Sequence, residues 1–138
     1  MATYDETKGG TNGFSAAAMG HSHLMVARMD AAEANDGNGL SADDSVQVIN
    51  LPANHMVLGV RAAVIEAEGD TLTFDVGDSG SDTRWHDGLD GNDESTEAID
   101  DTITSGTSDD DIRITVKDAA SNAVIEVTAL VVNMNPNG

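Results

Sequence analysis

The chain has 138 residues and carries 25 acidic against 6 basic side chains, for a formal net charge of −19. That length allows one domain with a modest core, and that charge repels both a phosphate backbone and an anionic membrane surface, so neither nucleic acid nor membrane is expected as a partner. No apolar run approaches the roughly 18 to 20 residues of a membrane-spanning helix, Met1–Glu6 lacks the pattern of a signal peptide, and the absence of cysteine excludes disulfides and thiolate metal sites.

Asp outnumbers Glu, and the only lysines are Lys8 and Lys117. In dilute buffer such a surface repels itself, whereas molar salt shortens the screening length to about 3 Å and removes most of that cost. Short, well-hydrated carboxylates with scarce lysine suit a halophilic or marine source. The alternative is an acidic surface that keeps a crowded assembly soluble.

Taken in chain order, residues 1–44 form an extended N-terminal arm. Its first part, with Gly9-Gly10-Thr11-Asn12-Gly13, is too poor in large apolar groups to fold alone. Leu24–Met29 reads as a short strand and 30–45 as a brief helical turn stopped by Asn and Gly. Residues 45–138 form the β domain. Val46 and Val48 flank Gln47, and Asn50–Asn54 is a turn. His55–Ala67 is a long strand that places Met56, Leu58, Val60, Ala62 and Val64 on one face. Thr71–Val76 turns Leu72, Phe74 and Val76 inward and Thr71, Thr73 and Asp75 outward. Asp111–Lys117 turns Ile112, Ile114 and Val116 inward and Arg113, Thr115 and Lys117 outward. After a turn at Asp118–Asn122, a last strand over 123–132 aligns Ile125, Val127, Ala129 and Val131. Arg61 is positioned to pair with Glu126.

Period-two alternation between turn residues predicts an all-β protein, an antiparallel β-sandwich or jelly roll. No βαβ pattern is present. A long acidic loop at 77–107, dense in Gly, Asp and Ser, interrupts the strands; loops of that length are commonly contact or functional surfaces.

Candidate chemistry concentrates there. Asp75, Asp78 and Asp82, or Asp87 and Asp90 with Asn92 and Asp93, offer oxygen ligands for Ca²⁺ or Mg²⁺, although the EF-hand spacing is not met. The competing reading is a solvated acidic loop. His21 and His23, with His86, have the donor type for zinc or nickel, or they are surface histidines at a subunit contact. Trp85, the sole tryptophan, is either a plug over the open end of the sandwich or an anchor at a subunit interface. Phe14 joins the two arm histidines, Trp85 and His86 as interface candidates. No nucleophile elbow, metalloprotease helix or phosphate loop is present, aromatic sugar platforms are scarce, and no enzyme activity is expected.

The stretch Val46-Gln47-Val48-Ile49-Asn50-Leu51-Pro52-Ala53 is followed by Glu66-Ala67-Glu68-Gly69, Asp75-Val76-Gly77-Asp78 and Thr83-Arg84-Trp85-His86-Asp87-Gly88. A closing strand pair runs from Ile112 to Val132. Over residues 45–133 this layout resembles small virion proteins of tailed phages. The resemblance implies a structural role without catalytic residues: a capsid decoration (cement) subunit on the surface of the virion head, associated as a homotrimer and bound to the major capsid protein. A tail or fibre-base component is the alternative within that class. Outside it stands a divalent-cation or carbohydrate-binding module.

Overall fold

The computed structural model describes residues 3–5 and 22–134. Phe14 and His21 lie outside them. The described chain is a sandwich of two sheets. The first has the order β1 (Thr3–Asp5), β3 (Ser45–Leu51), β9 (Asp110–Val116), β5 (Thr73–Gly77), β6 (His86–Asp90). The second runs β2 (Ser22–Asp30), β10 (Val124–Asn133), β4 (His55–Glu66), β7 (Glu97–Asp100), with β8 (Thr104–Gly106) also on β4. All pairings are antiparallel except β1 on β3. The expected all-β sandwich is the fold.

Alternation explains most of the core. Leu72, Phe74 and Val76 on or beside β5, Ile112, Ile114 and Val116 on β9, and Ile125, Val127, Ala129 and Val131 on β10 all point between the sheets and are buried. Each large aliphatic or aromatic side chain placed there contributes roughly 1.5–3 kcal/mol relative to exposure.

Three expected orientations are corrected. On β4 the buried residue near the start is Val57, while Met56 and Leu58 are only half-buried. The cause is a bulge: Leu130 pairs with Gly59 but Val131 with Val57, so Leu58 is an extra residue and the facing reverses there. Asp75 and Thr115, expected outside, are buried. Thr115 bonds the hydroxyl of Ser45 across β3–β9 at 2.9 Å, which satisfies both groups.

Residues 22–44, grouped with the arm in the sequence reading, pack into the sandwich. β2 pairs with β10 over nine uninterrupted positions, and Met25, Met29, Ala31, Ala34 and Leu40 join the core. The expected helical turn is the single short turn α1 (Ala34–Gly37), in which Asn35 and Asp36 both adopt φ 55. Asn and Asp are the non-glycine residues that accept this left-handed conformation most readily. The 77–107 stretch contains β6, β7 and β8.

Candidate functional site

The acidic loop is built by its own carboxylates. Asp78 Oδ1 accepts from the backbone N–H of Gly80 at 2.9 Å and of Ser81 at 3.0 Å, while its other oxygen binds Arg84 Nε. A Cβ at Gly77 would overlap the Ser81 carbonyl, so only glycine lets the loop fold back this tightly. Asp90 accepts from Asn92 N–H at 2.8 Å, Asp93 from Ser95 N–H at 2.8 Å, and Asp100 from Thr102 N–H at 2.8 Å. These are Asx turns, which explains part of the local richness in Asp.

The five metal candidates do not converge. Asp75 is buried, accepts from Gly88 N–H at 2.8 Å and lies 4.0 Å from Lys117 Nζ. Burial pushes its pKa up, partly offset by the Gly88 hydrogen bond. Asp78 is occupied as described, and Asp82, Asp87 and Asp90 are exposed. Among the described residues no three His, Asp or Glu side chains are grouped so as to hold a metal ion.

Trp85 and His86 face the interior. Trp85 is only 3% exposed and donates its indole N–H to the carbonyl of Thr102 at 3.2 Å. His86, on the first sheet, donates Nε2–H to the carbonyl of Val60 on the second at 3.0 Å. Together they clasp the two sheets at one end of the sandwich, as the plug reading requires. Both side chains are buried within this chain, where a large ring and an imidazole each reach a buried acceptor. His23 is half-buried on β2.

Beside the loop an open groove of about 570 Å³ is lined by His55, Asp78, Arg84 and residues 103–110. Its cation is paired with Asp78, and His55 Nδ1 is tied to the Pro52 carbonyl at 2.7 Å, so the groove brings no activated nucleophile to a base. Tyr4 is half-buried, and Phe74 and Trp85 are buried, so none of these three rings offers the open face that stacks on a sugar.

Two features escape motif reading. Glu68 is buried, and its carboxylate accepts from three successive backbone N–H groups, those of Ser121, Asn122 and Ala123, at 2.9–3.1 Å. It organises the β9–β10 turn from a distant part of the chain. The second is the outer face of the β2–β10–β4 sheet. Leu24 is 69% and Val26 57% exposed, and Leu24 lies opposite Leu130. Below this apolar area runs a charge network: Arg28 Nε to Glu126 at 2.9 Å, Arg61 Nη1 to Glu126 at 3.0 Å, and Arg61 Nη2 to Glu97 at 2.7 Å. The expected Arg61–Glu126 pair is its centre. The hydrogen bonds from Arg28 and Arg61 hold the Glu126 carboxyl below its ordinary range. The only sequence signal for the exposed strip was that Leu24–Met29 is apolar on both faces.

No protein-family model and no curated protein sequence matches the chain. Solved structures do. A chain of the acid-stable capsid structure of Helicobacter pylori bacteriophage KHP30 superposes with a TM-score of 0.61 at 18% identity, covering 83% of this chain and 88% of that one. A chain of the cyanophage Pam1 capsid asymmetric unit gives 0.56 at 21% identity, covering 80% and 86%. A chain of the Ralstonia phage GP4 capsid gives 0.54 at 14% identity, covering 82% and 86%. The fold is shared with chains of three phage capsids.

Proposed function

We propose that this chain is a virion structural protein: a decoration, or cement, subunit that sits on the outer surface of the head of a tailed virus, bound to the major capsid protein as a homotrimer. The observation that carries the reading is the two-sheet sandwich shared with chains of three phage capsids over 80–83% of this chain. The loop supports it. Its carboxylates are used to hold backbone, which suits a rigid contact surface better than a ligand site. A sandwich whose ends are clasped by Trp85, His86 and Glu68 resists shear, and a closed ring of subunits leaves no open interface. In this role the chain is not an enzyme and needs no cofactor.

The test is the composition of purified particles. DNA-filled heads are expected to contain the protein in a copy number set by capsid symmetry, and dissociating it should lower the temperature at which heads release DNA. Recovery from isolated tails alone would overturn the decoration role in favour of a tail or fibre-base component. Heat released by the soluble protein on titration with Ca²⁺ or glycans would instead support a binding module.

The −19 charge with two lysines supports a second part of the proposal, a host or medium of high salt, since molar ions screen the repulsion among closely spaced carboxylates.

A further inference from the structure

The outer face of the β2–β10–β4 sheet has a character unlike the rest of the surface. Leu24, Val26 and Leu130 are exposed there, and the strip continues through Val132 and Met56, both half-buried and paired in register. None of these five residues is charged. The charges that border the strip, Arg28, Arg61, Glu97 and Glu126, are two of each sign and are already joined in one network. In a chain of net charge −19, this is a charge-balanced area with large apolar side chains at its centre.

That balance identifies the partner. In a symmetric contact each residue near the axis meets its own copies, so any unpaired acid there is opposed by an identical acid. Two chains of −19 can approach only where such opposition is missing. The strip meets that condition, whereas the acidic loop at the other sheet edge does not. β2 also lies at the edge of its sheet among the described residues. Its nine residues keep an unbroken register and contain no proline, and the charge of Arg28 within it is already paired with Glu126. We infer that this strip is the surface through which copies of this chain associate, the occupant being a second copy of the same protein. The inference rests on the homotrimer part of the proposal above and names its contact surface.

The experiment is sedimentation velocity on the full chain in molar KCl, comparing the wild type, Leu24→Asp/Val26→Asp and the control Ile103→Asp, whose side chain is 63% exposed and lines the groove with Asp78 and Arg84. The wild type and the control are expected to sediment as an oligomer and the double variant as a monomer with unchanged Trp85 emission. Should the double variant lose that emission by unfolding, the conservative pair Leu24→Ser/Val26→Thr is expected to weaken association at least about tenfold. An oligomer that persists in the folded variants overturns the strip but leaves the trimer standing. A monomeric wild type overturns both, and head binding by that monomer would leave the capsid role intact.

Discussion

Glu68 Oε1 accepts a hydrogen bond from the backbone N–H of Ala123 at 2.9 Å, although 55 residues separate them in the chain. With Ser121 and Asn122 the same carboxylate serves three consecutive donors. Glu68→Ala leaves those N–H groups without a partner beneath the start of β10, at a cost of about 2–4 kcal/mol. Thermal unfolding should shift down by on the order of 10 °C. Glu68→Gln keeps one acceptor oxygen and should fall between. A melting temperature unchanged in Glu68→Ala would show that the turn holds its shape without the carboxylate.

Trp85 is the single fluorophore of its kind, so its environment is directly readable. Emission should be blue-shifted and poorly quenched by acrylamide in the folded protein, and both properties should change together on unfolding. Trp85→Ala is expected to cost about 3–5 kcal/mol in chemical denaturation followed by circular dichroism. Trp85→Phe should cost less, because it chiefly forfeits the hydrogen bond to Thr102. Red-shifted, freely quenched emission would contradict the burial of the ring.

Acid should weaken the fold through Glu126. Its folded-state pKa is depressed by Arg28 and then Arg61, so its stabilising contribution is present above the ordinary glutamate range. It is lost as pH falls through the lower folded value. Glu126→Gln should therefore cost about 1 kcal/mol at neutral pH, with the gap to the wild type closing at about pH 4 and below. A gap that stays constant with pH would rule out the charge as its cause.

Asp75 has the opposite sign. Its folded-state pKa is raised, chiefly by burial, so the folded state holds the proton more tightly. Its contribution is fully present below the ordinary aspartate pKa and declines as pH rises through the folded value. Asp75→Asn keeps the oxygen that accepts from Gly88 and removes a buried charge. At pH 7 it should be neutral or stabilising, and stability should depend less on pH between about 4 and 6 than in the wild type. Clear destabilisation at pH 7 would show that attraction to Lys117 outweighs burial.

Salt should act on the whole molecule. From low salt to molar KCl the unfolding midpoint should rise steeply as the Debye length shrinks to about 3 Å. A flat response would count against a high-salt origin.

The strands were legible because their alternation is local. β5, β9 and β10 show one apolar residue in two, and the Arg61–Glu126 pair followed from placing both on outward positions of neighbouring strands. The phase of β4 was not legible. The extra residue at Leu58 is set by pairing with β10, and nothing in its own composition marks it. Asp75 read as exposed because a carboxylate at a polar position usually is; the Gly88 N–H that lets it turn inward comes from a different strand. Trp85 admits two readings in sequence, and its burial against the Thr102 carbonyl depends on a residue 17 positions away that its own surroundings in the chain do not mark. Glu68 had no local signal at all, since its three partners belong to a turn far along the chain.

The place of β10 has a consequence for how the molecule is made. The last strand of the described chain lies between β2, the first strand of its sheet, and β4. Until residues 124–133 leave the ribosome, β2 and β4 have no shared neighbour and half of the sandwich stays open. The sandwich therefore closes only once residues 124–133 are available, and its long-range strand pairings make that step slow. A chain cut before residue 124 would leave β2 and β4 unjoined and the sandwich open.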